Sequence, residues 1–354
     1  MNIHEKYIKR CIELARNGLG NTYPNPMVGS VIVHKSRIIG EGWHRKAGEA
    51  HAEVNAINSV KNQELLKDAN IYVSLEPCSH FGKTPPCSDL IISKGIKRVV
   101  IGTMDPFAKV AGRGIKKLMD AGCEVNVGIL EKECYELNRR FFTFHQKKRP
   151  YIILKWAQTQ DSFIAPLARD EKRPVWITNK YSGQLVHKWR SEEAGILVGT
   201  TTAQNDNPKL NVRKWTGNDP VRILIDKDLK VPSNSAILDN RQKTIVLCDH
   251  GSNAEDKENT IYEKIDFSEN IAEEVCRVLV KHDIQSVIIE GGSKTLQQFI
   301  DARLWDEARL FTGKSYFGEG TSAPRLSASA KLKEEKFIEN DHLKIYRNDQ
   351  GDTI

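Results

Sequence analysis

The chain has 354 residues, of which 39% are hydrophobic and 28% are charged, a composition typical of globular proteins at a length that favours two domains. Its formal net charge is +7, but the basic residues are interspersed with 46 acidic ones, which argues against a nucleic-acid-binding protein. The sequence has no run of about 18 apolar residues and no N-terminal apolar signal core, and its seven cysteines are an odd number. We therefore expect a cytoplasmic protein without a membrane span, a membrane partner or a fully paired set of disulfides.

The first half of the chain alternates helical and strand patterns. Apolar residues three and four positions apart predict helices over 4–17, 51–60, 112–121 and 132–144. Short apolar runs bounded by turn residues predict strands over 30–33, 38–43, 71–75, 97–102 and 124–128, and the first two are predicted to form a hairpin about 34–37. Strands that alternate with helices predict an α/β domain with a mostly parallel sheet covered on both faces.

The second half shows the same alternation after a basic, proline-containing stretch at 145–150. We place the domain boundary in that stretch and predict domains over 1–146 and 150–354. Strands are predicted over 151–156, 195–199, 221–226, 244–248 and 285–290, and helices over 180–190, 270–282 and 294–302. This half is therefore also predicted to be α/β.

A candidate metal site stands out in the first half. His51, Cys78 and Cys87 supply one imidazole and two thiolates, which suits a tetrahedral zinc whose fourth position is open to water, as in catalytic sites. Bound zinc lowers the pKa of water from 15.7 to about 7. Glu53, two residues after the histidine, points to another side of a helix and is predicted to move protons rather than to bind the metal.

The spacing of the two cysteines departs from the general signature of zinc deaminases, which is Pro-Cys-x-x-Cys. Eight residues separate Cys78 from Cys87. His80 is an alternative ligand, but we rank it below Cys87. Gly82 and the two prolines before Cys87 predict a loop that returns this cysteine to the metal.

These motifs, together with Pro24-Asn25-Pro26-Met27-Val28-Gly29, closely resemble the bacterial bifunctional riboflavin-biosynthesis deaminase/reductase family, in which the longer cysteine spacing is the rule. The resemblance implies a cytidine-deaminase-like α/β/α domain followed by a dihydrofolate-reductase-like α/β domain. It also implies one zinc ion per chain, deamination of a diaminopyrimidinone ribosyl phosphate beside Asn25, and reduction of the ribosyl group to a ribityl chain by NADPH.

The same resemblance implies the reductase site. Residues expected at the cofactor are Ala157, Trp176, Thr202, Asp206, Gly291, Gly292, Ser293, Lys294 and Thr295, and residues expected at the substrate are Arg190, Leu210, Arg213 and Glu290. The glycines before a helix would let phosphates approach its N-terminus. Arginine binds phosphate through two parallel hydrogen bonds. For each arginine, composition alone equally allows a surface salt bridge.

Two glycine-containing loops in the first half are also predicted to suit a phosphate. They are 82–84 and 105–114, and the second leads into a predicted helix whose first N–H groups could bind an anion.

Several departures from the family pattern lie in the second half. Asp161 is retained, but Ser162 and Phe163 stand where the family usually has Gly and Arg, and Pro174 replaces a small polar residue. These changes leave open a reductase half that is weak or inactive.

Two other functions also remain open at this point. One is a zinc deaminase that acts on nucleic acid, and the other is a non-catalytic zinc module with His80 as a fourth ligand. We expect a homo-oligomer that acts on a phosphorylated pyrimidine and not on nucleic acid.

Overall fold

The computed structural model describes residues 2–79, 85–107, 111–167 and 175–349. The chain divides into two compact units, Met1–Lys148 and Arg149–Ile354. Each unit contains its own hydrophobic core, and each is described by itself.

The first unit alternates helices and strands, as predicted. Its helices are α1 Ile3–Ala15, α2 Ala52–Ser59, α3 Cys87–Ser93, α4 Arg113–Asp120, α5 Glu131–Leu137 and α6 Arg139–Lys147, and its strands are β1 Gly29–His34, β2 Arg37–Trp43, β3 Asn70–Leu75, β4 Arg98–Thr103 and β5 Glu124–Val127. The strands form one sheet in the order β2-β1-β3-β4-β5.

The predicted hairpin of β1 and β2 is confirmed, but two of the four strand pairings are antiparallel, so the sheet is mixed rather than mostly parallel. Strands β3, β4 and β5 are parallel, but β1 is antiparallel to both β2 and β3. The reason is local, because β1 and β2 are joined by a tight turn in which Lys35 and Ser36 have φ values of 46° and 62°. Two positive φ angles in succession are typical of two-residue hairpin turns.

Alternate residues of the central strands pack on opposite faces of this sheet. Ile71 and Val73 join a core with α2, α3 and α4, whereas Tyr72 joins a core with α1 and α5. Successive side chains of a strand point to opposite faces. The predicted covering of both faces, an α/β/α arrangement, is therefore confirmed.

The helix predicted over 132–144 is two helices that meet at Asn138. The Asn138 amide accepts a hydrogen bond from Met27 N and donates one to Met27 O, both at 2.8 Å. This side chain therefore ties the proline-rich loop before β1 to the far end of the unit.

The second unit is built on a nine-stranded sheet. Its strands are β6 Tyr151–Gln158, β7 Phe163–Pro166, β8 Gly195–Gly199, β9 Val221–Ile225, β10 Thr244–Asp249, β11 Thr260–Ile265, β12 Ser286–Ile289, β13 Glu307–Thr312, β14 Gly320–Ser322, β15 Ala330–Ile338 and β16 Asp341–Asn348, and its helices are α7 Lys180–Glu192, α8 Thr200–Asp206, α9 Ile271–Lys281 and α10 Ser293–Asp301. The order is β11-β10-β9-β8-β12-β6-β13-β16-β15, and β7 pairs separately with β14.

Strands from β11 to β13 in this order are parallel, and β16 and β15 extend the sheet in antiparallel fashion. The central strands are near-continuous apolar runs because both faces are buried. All five strands and three helices predicted for this half are confirmed.

The elements missed in this half lack an apolar pattern. Almost every residue of β15 is exposed, so no alternation marks it as a strand. In β13 the buried residues include Glu307 and Arg309, which form an ion pair at 2.6 Å. Such an ion pair compensates the buried charges. Because both residues are charged, a prediction from hydrophobicity does not recognise this segment as a strand.

Candidate functional site

Three side chains that are distant in sequence converge in the first unit. The ligand atoms of His51, Cys78 and Cys87 all lie within 4.8 Å of one another, the only such group of metal-binding residues among those that the structure describes. His51 Nδ1 lies 3.6 Å from Cys78 Sγ and 3.4 Å from Cys87 Sγ. A nitrogen and two sulfurs at these separations fit the donor set of a zinc ion.

Secondary structure places each of these three residues at the end of an element. His51 is the N-cap of α2, Cys78 follows β3, and Cys87 is the first residue of α3. The Cys87 N–H donates to Cys78 Sγ at 3.3 Å, as the free N–H groups of a helix start can. The helix α3, which begins at Cys87, was not predicted from the sequence.

Hydrogen bonds within the cluster polarise its sulfurs. The hydrogen bond with the Cys87 side chain has the largest effect and, together with the one from His51, lowers the pKa of Cys78 to about 4. Burial acts in the opposite direction but is outweighed. The pKa of Cys87 is raised, because its proton is shared with the Cys78 thiolate and its side chain is buried. A bound cation would favour the thiolate form of both cysteines.

Glu53 lies beside the cluster but is not part of the group of ligand atoms. Its side chain is buried, with 3% of the residue exposed. Burial raises the pKa of Glu53 to about 7. Near neutral pH this carboxyl group can therefore both take up and release a proton, as a general acid/base must.

A hydrogen-bonded pair that borders the cluster includes Asn25 and a histidine that sequence reasoning missed. His44 Nδ1 donates to Ala50 O at 3.2 Å, and Asn25 Nδ2 donates to His44 Nε2 at 3.1 Å. A carbonyl can only accept, so this chain of bonds defines both the tautomer of His44 and the orientation of the Asn25 amide. The His44 and His51 rings meet edge to face at 5.3 Å.

The predicted anion site at 105–114 is wrong for the described residues, because another side chain occupies its N–H groups. The Glu76 carboxylate accepts hydrogen bonds from Gly112 N and Gly114 N at 2.9 Å and from Ile115 N at 3.3 Å. A carboxylate at the start of α4 satisfies the free N–H groups and the helix dipole. Glu76 thus fastens the Glu-Pro-Cys turn to this helix.

A glycine is required where the turn and the helix meet. A Cβ at Gly114 would lie 2.1 Å from Pro77 O, which is far inside van der Waals contact. The alternative ligand His80, the loop 82–84 and Lys109 lie outside the described residues.

The second unit contains a cavity of about 590 Å³ at the carboxyl ends of β6, β8 and β12. This edge of a parallel sheet is where α/β proteins bind ligands. The predicted residues that line the cavity are Ala157, Trp176, Arg190, Thr202, Asp206, Leu210, Arg213, Glu290, Gly292, Ser293 and Lys294.

Gly291 and Thr295 do not line this cavity but pack against the sheet. A Cβ at Gly291 would lie 2.7 Å from Val198 Cα, and Thr295 Oγ1 lies 2.7 Å from the position of a Cβ on Gly199. These two residues therefore bring the start of α10 close to β8. Gly292 N donates to Thr202 Oγ1 at 2.8 Å, which connects the glycine turn to α8.

Arg190 and Glu290 form a buried ion pair rather than a surface salt bridge. Arg190 donates from Nε and from its terminal guanidinium nitrogen to the two Glu290 oxygens at 3.1 and 2.6 Å. Lys155 Nζ lies 3.9 Å from the same carboxylate. Burial would raise the pKa of Glu290, but the charges of Arg190 and Lys155 outweigh it and lower this pKa to about 2.

Ser162 stands where the family usually has glycine, yet it keeps the backbone conformation that glycine favours. Ser162 has a φ of 66°, in the left-handed region. Asp161, just before it, accepts hydrogen bonds from Phe317 N at 3.1 Å and Gly318 N at 2.7 Å. The turn is therefore kept despite the substitution, whereas Pro174 lies outside the described residues.

Sequence reasoning also missed His187, Lys155 and Lys214 of this cavity. A single histidine or lysine on a predicted helix or strand carries no signal that separates a site from a surface.

Among the described residues, no helix is long and apolar enough to cross a membrane.

Two family models match the chain. The model of the cytidine and deoxycytidylate deaminase zinc-binding region matches residues 1–103, and the model of the RibD C-terminal domain matches residues 150–347. The first match contains His51, Glu53, Cys78 and Cys87, and the second contains the cavity.

Similar proteins span the whole chain. A riboflavin biosynthesis protein RibD of Aquifex aeolicus (strain VF5) is 41% identical over 90% of this chain and 89% of its own length. The protein of the same name from Escherichia coli (strain K12) is 33% identical over 96% of each chain. A crystal structure of a diaminohydroxyphosphoribosylaminopyrimidine deaminase/5-amino-6-(5-phosphoribosylamino)uracil reductase from Thermotoga maritima superposes with a TM-score of 0.88 at 37% identity, covering 98% of this chain and 99% of that one.

Proposed function

This chain belongs to the RibD family of riboflavin biosynthesis proteins, and from that premise we propose that its two units catalyse successive reactions on one phosphorylated pyrimidine. The first is a zinc-dependent deamination, and the second is an NADPH-dependent reduction of the ribosyl group to a ribityl chain. The cytidine-deaminase-like and dihydrofolate-reductase-like α/β fold classes predicted from the sequence are confirmed. We assign residues 1–146 to the deaminase domain and 150–354 to the reductase domain.

The observation that carries the deaminase assignment is the cluster of His51, Cys78 and Cys87 beside a buried Glu53. These three side chains would hold the zinc ion. When bound, zinc supplies a Lewis acid that lowers the pKa of a water molecule to about 7. Glu53 would hold and move the proton that the departing amino group takes up, because it is a buried carboxyl group beside the cluster and not one of its ligands.

Asn25 orients the pyrimidine ring in this proposal. Its amide is held by His44 at 3.1 Å, and its loop is anchored through Met27 to Asn138. A polar group whose orientation is set before the substrate arrives recognises it with less loss of side-chain entropy.

The second unit offers separate surfaces for a cofactor and a substrate within one cavity. Trp176, Thr202, Ser293 and Lys294 would contact NADPH, with its phosphates near the start of α10. When bound, NADPH supplies the hydride. The substrate-binding residues in this proposal are Arg190, Leu210, Arg213 and Glu290, and the arginines provide charge for the substrate phosphate.

A free phosphorylated pyrimidine, rather than a nucleic acid, is the proposed substrate. Lys155, Arg190 and Arg213 line a cavity of about 590 Å³, a concave site that suits a small charged molecule. Salt-sensitive RNA binding by the purified protein would contradict this choice. A homo-oligomeric state and a cytoplasmic location stay predictions.

Incubation of the purified protein with the diaminopyrimidinone ribosyl phosphate, with and without NADPH, tests both reactions. Without NADPH we expect ammonia and the deaminated ribosyl product by mass spectrometry, and with NADPH we expect the ribityl product. Accumulation of the ribosyl product in the presence of NADPH would show that the reductase half is inactive. Failure to release ammonia from the zinc-loaded protein would contradict the deaminase assignment.

A further inference from the structure

His187 is a buried histidine of the cavity to which the proposed function assigns no role. It lies in α7, is 4% exposed and lines the cavity. Its Nδ1 accepts a hydrogen bond from Arg213 N at 3.1 Å. A backbone N–H can only donate, so Nδ1 carries no proton, and the proton of the neutral ring must be on Nε2.

The second ring nitrogen has no hydrogen-bond partner among the residues that the structure describes. Nε2 is not among the fully buried atoms that lack a partner, so this donor is accessible from the cavity, and an oxygen of a bound ligand can accept from it. Because His187 lines the cavity, that ligand would be the one that fills the cavity.

Helix α7 holds the segment after Leu210 at two points. Arg190, one turn beyond His187, donates to Asn211 O at 3.3 Å, and His187 accepts from Arg213 N. Leu210 has a φ of 56° and is buried. The backbone conformation therefore changes just before these two contacts, which hold the segment that carries Arg213 against α7.

The charges around His187 are predominantly positive. Arg190, Arg213 and Lys214 are its cationic neighbours, and Glu290 is its one carboxylate neighbour, which is already paired with Arg190. Burial first, and then these cations, lower the pKa of His187 to about 4. The ring is therefore a neutral donor at physiological pH and adds no further positive charge.

We propose that His187 is a positioning and specificity residue of the reductase site. Its Nδ1 holds the backbone of Arg213 so that the guanidinium groups of Arg190 and Arg213 converge, and its Nε2–H donates to an oxygen of a phosphoryl group. Both the substrate and NADPH carry such a group. The Arg190 and Arg213 neighbourhood favours the substrate phosphate. This inference rests on the proposed reductase function.

Two substitutions separate the two ends of the ring. His187→Asn places an amide oxygen near the position of Nδ1 and can keep the bond from Arg213 N, but it is too short to replace Nε2. His187→Gln reaches the position of Nε2 with an N–H donor but lacks the near acceptor. His250→Asn, at an exposed position of the same unit, is the matched control.

Reductase kinetics with the deaminated ribosyl phosphate and with its phosphatase-treated counterpart test the phosphate contact. For His187→Asn we expect KM to rise about tenfold, equivalent to about 1.4 kcal/mol, for the phosphorylated substrate only, with kcat nearly unchanged. His187→Gln keeps a donor near the position of Nε2 but loses the acceptor that holds Arg213 N, so it should keep only part of the preference for the phosphorylated substrate. The His250→Asn control should match the wild type in both constants.

Other outcomes would overturn the proposal. An equal rise in KM for both substrates would show a structural effect of the substitution, and a rise in KM for NADPH alone would assign the phosphoryl group to the cofactor. If the wild type consumes no NADPH with the pyrimidine, the proposed reductase function fails on its own. In that case calorimetric titration with inorganic phosphate still decides, because the wild type should bind it several-fold more tightly than His187→Asn, and equal binding would refute the inference.

Discussion

Glu53 and Glu290 show how differently the two units prepare a buried carboxyl group. Both side chains are almost completely inaccessible, yet the pKa of Glu53 is raised to about 7 and that of Glu290 is lowered to about 2. Burial disfavours the charge in each case, but only Glu290 has Arg190 and Lys155 beside it. The neighbouring charges, and not the depth of burial, decide whether a carboxyl group exchanges protons or serves as a permanent anion.

The same contrast extends to the two sites as a whole. The first unit concentrates its chemistry in a few residue types that bind a metal, with ligand atoms within 4.8 Å of one another. The second unit instead has a cavity of about 590 Å³, lined by several cations and by the ion pair of Arg190 and Glu290. Metal chemistry depends on particular donor atoms, whereas phosphate binding can be built from many residue types.

Substitution of Glu53 should have the largest effect and should separate the two units completely. Glu53→Gln keeps the shape of the side chain but cannot carry a proton, so we expect deamination to fall by about 10³-fold. Zinc content and the reductase reaction on deaminated substrate should not change. Ammonia release, metal analysis and NADPH oxidation measure the three quantities, and near-normal ammonia release would show that the role of Glu53 is wrong.

Substitution of Glu290 tests whether the other carboxylate is needed as an anion. Glu290→Gln leaves Arg190 and Lys155 buried without a counter-charge, and we expect a loss of about 3 kcal/mol in the free energy of unfolding of the second unit. Five of the six tryptophans lie in this unit, so urea unfolding followed by tryptophan fluorescence reports on it.

The matched control for that substitution is Glu334→Gln. Glu334 and its partner Lys336 are 51% and 45% exposed, and such surface pairs contribute less than about 1 kcal/mol. Equal effects of the two substitutions would mean that the Glu290 pair adds no stability beyond that of a surface contact.

Substitution of Gly114 tests the packing that supports the metal cluster. A Cβ would lie 2.1 Å from Pro77 O, so Gly114→Ala should displace the turn before Cys78 and cost roughly 2 kcal/mol. We expect faster loss of zinc to a chelator and weaker deamination, with unchanged reduction. Gly251→Ala is the control, since the atom near its Cβ position is Asp249 Oδ1 at 3.6 Å, an ordinary van der Waals distance, and zinc retention equal in both variants would contradict this role of Gly114.

The smallest expected effect is a pH dependence that belongs to the second unit. His187 faces Arg190, Arg213, Lys214 and Glu290, and its pKa is lowered from 6.5 to about 4. Between pH 4 and pH 6.5, His187 is therefore protonated in the unfolded chain but neutral in the folded protein. The titration of His187 therefore leaves the free energy of unfolding unchanged above pH 6.5 and decreases it as the pH falls from 6.5 towards 4.

The variant His187→Asn should remove this part of the acid sensitivity. We expect the difference in free energy of unfolding between about pH 7 and about pH 5 to shrink by roughly 1 kcal/mol. Urea unfolding at the two pH values measures it, with His250→Asn as the control. An unchanged difference would show that His187 does not titrate as the structure implies.

The α/β alternation of both halves could be predicted because apolar periodicity reflects burial directly. Predictions failed where burial and polarity do not coincide. Strand β15 is exposed along nearly its whole length, and β13 buries Glu307 and Arg309. The hairpin of β1 and β2 could be predicted, but the antiparallel pairing of β1 with β3 could not be read from alternation, since a pattern of side chains does not state the direction of the neighbouring strand.

The candidate sites divide in the same way. His51, Glu53, Cys78 and Cys87 could be selected from residue type and spacing alone, because few other side chains supply those donor atoms. His44, His187 and the role of Glu76 could not be identified from the sequence. Each of them depends on a partner that only the fold brings near, such as Asn25, Arg213 N or the N–H groups of Gly112 and Gly114.

The amino-acid sequence by itself determined which chemistry is available to this protein, since ligand atoms and proton carriers are properties of single residues. Tertiary structure decided which N–H groups are already occupied, which tautomer each histidine adopts and which buried carboxyl group keeps its charge. Hydrogen bonds and Coulomb interactions act over a few ångströms in space, and the distance along the chain between the groups that they join does not enter into their energy.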